Sequence, residues 1–556
     1  MQWTRELDEA GCVRLAELLA LKIRPGDAIA LYGDLGAGKT TLARALLGAL
    51  LRDVDPDVPS PTFALQQTYT TPRLTVAHFD FYRLSSAEEA RELGFDEAMD
   101  LGAVIVEWPE RALALLPADR IEIVLAETAD PDRRLVTARG LGAAAERVAR
   151  IGEIMAFLDA QPEWSGARIA YLQGDASSRA YARLFRDGED GVRPLVPAVV
   201  ETLRRSGQGS DPATAVAETL GRPGQGSDPV LPVHGRTALL MDAPRQPDGP
   251  PIRDGKSYSQ IACLAEDMVR PFVAIAAVLR AAGLSAPEVL AANLDAGLAL
   301  VEDLDSRLYG REVAAGASQA ELWRAAVDVL VHLRGVAVPS ALPLPDGTFV
   351  TLPRRDRAAF EIEIELLLEW LWPELKGEPV PESVRAEFRS AWAPVLDRLL
   401  ALPGGWFLRD YHSPNLIWMP ERAGLAKVGI LDFQDALNEH FAFDLVSLLQ
   451  DARVDVPEAL ERELLDYYCG QVAAREPGFD RGAFMAAYAA FGAQRNTRLL
   501  GLWVRLLRRD GKPGYLQHYP RTWGYLQRNL SHATLAPLAA WYERHFSQAE
   551  RGRRLA

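Results

Sequence analysis

Residues 33–41 read Gly-Asp-Leu-Gly-Ala-Gly-Lys-Thr-Thr, which satisfies G-x-x-x-x-G-K-[ST] with a second hydroxyl residue behind it. The run Ala28–Tyr32 ahead of it is apolar and strand-like, and Leu42, Leu46 and Leu47 behind it are spaced as one face of a helix. Strand, glycine-rich loop and helix in that order make a phosphate cradle. The glycines let the loop turn back with its N–H groups inward, and the helix N-terminus adds partial positive charge. The pattern predicts an α/β P-loop domain in which Gly33, Gly36, Ala37, Gly38, Lys39, Thr40 and Thr41 surround the phosphates of ATP. Lys39 would reach the terminal phosphates and Thr40 would ligate Mg²⁺.

The segments that follow place acids at strand ends. Prolines in Pro59-Ser60-Pro61-Thr62-Phe63 fix an extended loop, Leu65–Thr70 reads as a strand, and Leu74–Arg83 as a strand that carries Asp80. Ala103–Val106 is another strand and runs into Glu107. Catalytic groups collect at strand ends that face a phosphate loop. Asp80 and Glu107 are therefore candidates for metal binding and hydrolysis, with helix or strand capping as the plainer alternative. Ile121–Leu125 and Arg134–Ala138 read as closing strands of the same small sheet.

In this order and spacing, GDLGAGKTT, SPTF, HFDFYR and VEWPER resemble the TsaE family, the small ATPase of the bacterial machinery that makes threonylcarbamoyladenosine in tRNA. The resemblance implies that Lys39 and Thr40 bind phosphates and Mg²⁺, and that Asp80 and Glu107 complete the metal and hydrolysis site, with Glu107 on the metal. It also implies threonylcarbamoyl-transferase partner proteins of the TsaD and TsaB type, with tRNA met only indirectly. The charge agrees: the chain carries −15, of which −7 falls in the first 150 residues, so neither part looks like an autonomous nucleic-acid binder.

At 556 residues the chain exceeds one ordinary core. A hinge around Gly140–Ala145 divides it into a P-loop domain at 1–142, a linker at 143–150 and a second domain at 151–556. Within the latter, Ser206-Gly207-Gln208-Gly209-Ser210-Asp211-Pro212 recurs nearly verbatim at Pro223–Pro229. The Gly, Pro and Ser content of 187–234 predicts a disordered or loosely ordered insertion. Around it, Tyr171–Leu184 reads as two strands joined by a polar loop, with Gly174, Ser177 and Arg179 placed to lid nucleotide phosphates. Thr237–Asp242 supplies a third strand, Gln260–Leu279 an amphipathic helix containing Glu266, and Leu298–Leu304 a strand running into Glu302 and Asp303 at a hinge. That order matches the smaller lobe of a kinase.

The larger lobe carries the chemistry. Phe407-Leu408-Arg409-Asp410-Tyr411-His412-Ser413-Pro414-Asn415 sets an Asn five residues after an Asp, and Val428–Leu431 is a strand leading into Asp432. A hairpin between them brings Asn415 and Asp432 to one end, where they can share Mg²⁺ on the nucleotide, while Asp410 accepts the proton of the substrate hydroxyl. One element departs from the protein-kinase pattern. The third strand reads Leu-Leu-Met-Asp, and the lysines between 151 and 405 are Lys256 and Lys376, neither on that strand. Either Arg179, Arg183 or Lys256 supplies the missing cation, or the domain serves regulation.

The D-x-H-x-x-N loop resembles aminoglycoside phosphotransferase-like kinases, which implies a multidomain chain: the α/β P-loop domain followed by an α+β bilobal protein-kinase-like domain. More narrowly, QGDASSRAYARL, LLMDAP, VEDL, LRDYHSPNLIW, LDFQDA and AQRNTRLLGLWVRL are similar to the cell-wall amino-sugar kinases of the AmgK type. Those phosphorylate the anomeric hydroxyl of N-acetylmuramate and N-acetylglucosamine, so an amino-sugar substrate is expected. An aminoglycoside or choline-like acceptor, or a nucleotide-binding regulatory module, stays open beside it. The resemblance further implies a structural acid at Asp444 and a substrate-lobe element around Gln494-Arg495-Asn496, where Arg495 pairs a substrate carboxylate or serves structure. Cys12, Cys263 and Cys469 are too dispersed for a disulfide framework, and the sequence lacks both a signal peptide and a membrane span, so a cytoplasmic protein is expected.

Overall fold

The computed structural model describes residues 1–52, 61, 64–172, 179–186 and 237–555. The chain opens with strand β1 (Gln2–Asp8) and helix α1 (Glu9–Lys22), whose first turn is capped by the Asp8 carboxylate accepting from the Gly11 N–H. Strand β2 (Ala28–Tyr32) leads through the glycine-rich loop into α2 (Lys39–Leu51). Strands β3 (Gln66–Thr70), β4 (Thr75–Asp80), β5 (Gly102–Glu107), β6 (Arg120–Glu127) and β7 (Arg133–Leu141) complete one sheet of order β1-β7-β6-β2-β5-β4-β3.

The residues explain the order. β2 pairs parallel to β5 and β6, and β4 parallel to β5. β5 is buried at every position, as a parallel strand covered on both faces must be. β1 alternates exposed and half-buried residues, which suits an edge strand, and it closes the sheet by pairing antiparallel with β7. Gly33 cannot be replaced at the end of β2: a Cβ there would stand 2.5 Å from the Leu125 carbonyl oxygen, with φ at +144°.

Two compact units divide the chain: residues 1–243 with 298–303, and residues 244–297 with 304–556. The first unit holds more than the seven-stranded sheet. The segment 143–150 lies in a 3₁₀ turn and the start of helix α3 (Ala145–Asp159), whose Val148 carbonyl accepts from the Trp3 indole at 2.9 Å. Strands β8 (Arg168–Leu172), β9 (Ala180–Phe185), β10 (Thr237–Asp242) and β11 (Leu298–Glu302) follow, antiparallel in the order β11-β10-β9-β8. They stand on α1. Glu17 accepts from the Ile169 N–H at 2.8 Å and pairs with Arg168. Asp242 takes two bonds from Arg150, at 2.9 and 2.7 Å, and pairs with Lys22.

The second unit is mainly helical. Residues expected as one helix from Gln260 to Leu279 instead form a short turn of helix (Tyr258–Ile261) and α4 (Val269–Ala281), and Glu266 lies in the bend between them, paired with Arg245. Pro271 is the cause: a proline is accommodated in the first turn of a helix and not in its interior, so the helix has to begin just ahead of it. Beyond it come α5 (Gln319–Leu333) and α6 (Arg357–Leu366), then the hairpin β12 (Leu416–Trp418) and β13 (Val428–Ile430), α7 (Ala442–Leu449), the long α8 (Arg481–Arg508) and α9 (Tyr519–Leu530). α8 packs against α6, α7 and α9 and forms the spine of this unit. Among the described residues no helix is long and apolar enough to cross a membrane. The repeat-containing stretch 187–234, Gly174 and Ser177 lie outside the described residues.

Candidate functional site

In the first unit the phosphate loop folds as its glycines require: Gly33, Gly36 and Gly38 all have positive φ, the Ala37 N–H donates to the Asp34 carbonyl at 3.1 Å, and α2 starts at Lys39. Thr41 faces outward on that first turn. The Lys39 ammonium donates to the Gly33 and Asp34 carbonyls at 2.6 and 2.9 Å and lies 3.7 Å from the centre of the Trp108 ring. Burial lowers its pKa, against the opposing pull of Glu107, Glu110, Asp80 and Asp34.

Glu107 ends β5 beside the loop. One of its oxygens accepts from the Thr40 hydroxyl at 2.8 Å and the other is 3.0 Å from His78 Nε2. Asp80 ends β4 in direct register with Glu107 and accepts from the Tyr82 N–H at 3.0 Å. Both carboxylates are almost wholly buried, at 4% and 2% exposure. The sequence reading assigned nothing to His78 or Trp108. His78 is fully buried, its Nδ1 has no hydrogen-bond partner, and it lies two residues before Asp80 on one strand, so both side chains leave the same face. That period-two spacing was available in the sequence. Trp108, at φ +57°, packs against Tyr82 with ring centres 5.0 Å apart and planes tilted by 52°.

In the same unit, Arg179 stands just before β9 and Glu302 ends β11. The strand expected to lack a lysine does lack one. Directly across from Leu239 sits Arg183, which pairs with Asp303 at 2.6 Å; the two side chains are almost wholly out of water. Lys256 is exposed on a short strand of the other unit.

In the second unit the hairpin β12–β13 holds Leu416 opposite Ile430. Asn415 and Asp432 thus meet at one end: the Asn415 amide donates to the Asp432 carboxylate at 3.3 Å and to the Asp410 carbonyl at 2.9 Å. Arg409 and Asp432 both have positive φ, at +73° and +59°, a backbone strain held in place by surrounding bonds. Chief among these is Asp444, 1% exposed, which accepts from the Leu408 and Arg409 N–H groups at 2.6 and 3.0 Å. Burial pushes the Asp444 carboxyl up to about 8. His412 is held toward its neutral form by burial. Arg495 is buried and donates to the Gln450 carbonyl at 3.1 Å.

The donor sets of both sites are hard oxygens, hydroxyl and carboxylate around Thr40 and Glu107 and amide and carboxylate around Asn415 and Asp432, the chemistry that Mg²⁺ takes. The fold and these two constellations define a P-loop nucleotide-binding domain joined to a kinase-like phosphotransferase. Residues 7–135 match the family described as threonylcarbamoyl adenosine biosynthesis protein TsaE, and residues 260–485 match the phosphotransferase enzyme family. An N-acetylmuramate/N-acetylglucosamine kinase of Caulobacter vibrioides is 41% identical over 391 residues, spanning 70% of this chain and 95% of that protein. One of the same name from Pseudomonas aeruginosa is 30% identical over 305 residues, 52% of this chain and 77% of that protein. A tRNA threonylcarbamoyladenosine biosynthesis protein TsaE of Rickettsia felis is 43% identical over 122 residues, 22% of this chain and 70% of that protein. The chain belongs to the N-acetylmuramate/N-acetylglucosamine kinase family and carries a TsaE-family domain ahead of the kinase, and both families use ATP.

Proposed function

We propose that the chain is bifunctional, with residues 1–142 serving as the ATPase subunit of tRNA threonylcarbamoyladenosine synthesis and residues 151–556 phosphorylating the anomeric hydroxyl of N-acetylmuramate and N-acetylglucosamine. The observation that carries the kinase reading is the Asn415 amide bonded at once to Asp410 and Asp432, since this holds base and metal acid in one frame. Asp410 accepts the proton of the C1 hydroxyl as that oxygen bonds to the γ-phosphorus; the bond to ADP breaks, and sugar 1-phosphate, ADP and a proton result. Asn415 and Asp432 would hold Mg²⁺, which neutralises phosphate charge when bound. Gly174, Ser177, Arg179 and Glu302 belong to the nucleotide's side of the reaction, and Arg183 supplies the cation that the third strand lacks.

In the first domain the Thr40, Glu107 and His78 network supports the ATPase reading: Thr40 and Glu107 would hold Mg²⁺, and Asp80 beside them orients the attacking water. The partners are threonylcarbamoyl-transferase proteins, and the expected compartment is the cytoplasm.

The test uses the full chain with ATP and each sugar. Asp410→Ala should lower sugar phosphorylation by about 10³-fold or more, the loss of a general base and its positioning together. Lys39→Ala should retain sugar phosphorylation while removing ATP hydrolysis in the presence of the partner proteins. Turnover on aminoglycosides or choline but on neither sugar would replace the acceptor, and no turnover on any acceptor would remove the kinase reading.

A further inference from the structure

The long helix α8 carries two arginines about one helical turn apart, Arg495 and Arg498. Their situations differ. Arg495 is 6% exposed and its Nη1 is engaged with the Gln450 carbonyl. Arg498 keeps 23% of its side chain exposed, and its ion pair is a long one, 3.8 Å from Nε to Glu363 Oε1. Its Nε has no hydrogen-bond partner.

Glu363 explains why Arg498 is held yet unsatisfied. This carboxylate is 1% exposed on α6, and its Oε2 already accepts from Arg355 at 2.8 Å and from Gln494 at 2.8 Å. Its Oε1 faces two arginines without a hydrogen bond from either: Arg498 at 3.8 Å and Arg409 at 3.5 Å. Arg409 immediately precedes Asp410, and its other bonds run to the Ala262 and Cys263 carbonyls at 3.0 Å each. One buried carboxylate thus ties Arg498 to the loop that carries Asp410, leaving its guanidinium oriented by charge but not consumed by it. Asp410 and Tyr258 add to the field that favours the charged form of Arg498, after Glu363.

We propose that Arg498 is a specificity-determining residue of the acceptor site, where its guanidinium pairs with a carboxylate on the sugar. This rests on the amino-sugar kinase reading and sharpens it. Of the two sugars, N-acetylmuramate bears a lactyl carboxylate and N-acetylglucosamine has none, so a planar two-donor fork tied through Glu363 to the loop that carries Asp410 distinguishes them. Glu363 acts as a positioning residue: it keeps the fork near the catalytic loop, and a long ion pair that makes no hydrogen bond is readily exchanged for a short one to substrate.

The test is steady-state kinetics of the full chain on both sugars with Arg498→Ala, Arg498→Lys and the unmodified protein. A charge-assisted, two-pronged contact corresponds to about 10- to 100-fold in kcat/KM. The expected result is that the ratio of kcat/KM for N-acetylmuramate over N-acetylglucosamine falls by that factor in Arg498→Ala, chiefly through KM for N-acetylmuramate. Arg498→Lys should recover part of the ratio, since it keeps the charge and loses the fork. An equal loss on both sugars would overturn the proposal and assign Arg498 to the transferred phosphoryl group or to folding; an unchanged ratio would overturn it as well. Failure of the unmodified protein to phosphorylate either sugar is a different outcome, because it removes the kinase reading beneath.

Discussion

Replacing Asp242 by Asn isolates the contact on which the kinase strands stand. Asp242 ends β10 at 1% exposure, and its carboxylate meets Arg150 through two bonds at 2.9 and 2.7 Å and pairs with Lys22. The Arg150 and Lys22 side chains are 12% and 17% exposed. Asparagine keeps the shape and removes the charge, which leaves two cations close together and mostly out of water. Breaking a buried pair from one side costs about 3–5 kcal/mol, and the residual solvent access of both cations puts this case near about 3 kcal/mol. For a unit of this size, about 3 kcal/mol lowers Tm by about 6–12 °C. Lys22→Ala should cost far less, about 1 kcal/mol, because Arg150 keeps both of its bonds to Asp242. Calorimetry of the full chain measures the shift, and hydrogen exchange at the β10 and α1 amides locates it. A change in Tm below about 1 °C with unaltered exchange in Asp242→Asn would refute the argument that this carboxylate is a buried anchor, since its computed worth would then be absent.

Two further outcomes follow from other parts of the second unit. His440 is 8% exposed, stacked 6.0 Å from Phe491, and burial with nearby Arg334 lowers its pKa to about 4. Its unfolded value is about 6.5, so the unfolded chain takes up a proton that the folded chain refuses as pH falls. Stability conferred by the neutral ring is complete above about pH 6.5 and is lost toward pH 4, about 2 kcal/mol of it by pH 5. His440→Gln should flatten the pH dependence of the urea midpoint in that window and leave its slope above pH 7 alone. On helix α8, a Cβ at Gly501 would stand 2.2 Å from the backbone carbonyl of Leu366, so Gly501→Ala should cost about 3 kcal/mol or more. The helical Gly470 meets nothing within 4 Å, so Gly470→Ala should add about 0.5–1 kcal/mol, and urea titration of the two variants side by side checks the contrast.

Features set by neighbours in sequence were legible from residues alone. The phosphate loop, the strands carrying Asp80 and Glu107, and the hairpin that joins Asn415 to Asp432 each depend on patterns a few residues long. What escaped is what the chain assembles over distance. β1 closes the first sheet only by pairing with β7, some 130 residues on, and its own short alternation carries little signal. A helix from Gln260 onward would carry Pro271 in its interior, where the ring is not accommodated, so the helix starts at Val269 instead. Glu363 sits in the run Phe360-Glu361-Ile362-Glu363-Ile364-Glu365, whose period of two suggests a strand, yet it is helical and gathers Arg355, Arg409 and Arg498 from three separate segments. No local pattern distinguishes Glu363 from its two flanking glutamates.

The third strand's missing lysine has a physical account once the register is known. Leu239 lies directly opposite Arg183 on β9 and opposite Val301 on β11, so the three side chains share one face of the sheet. Arg183 is already there as a buried cation, 6% exposed, neutralised by Asp303 just past the end of β11. A lysine at 239 would set two like charges across a cross-strand pair, in a place with one carboxylate to serve them, and such pairs are destabilising. Leucine at 239 is therefore what the neighbouring strand permits. Arg183, on the second strand, is the proposed counterpart of the third-strand lysine of protein kinases, and the next odd position of the third strand, Met241, lies opposite Tyr181 and Ala299. Asp242, on the opposite face, is then free to serve as the anchor to α1 and α3 without a competing cation inside its own sheet.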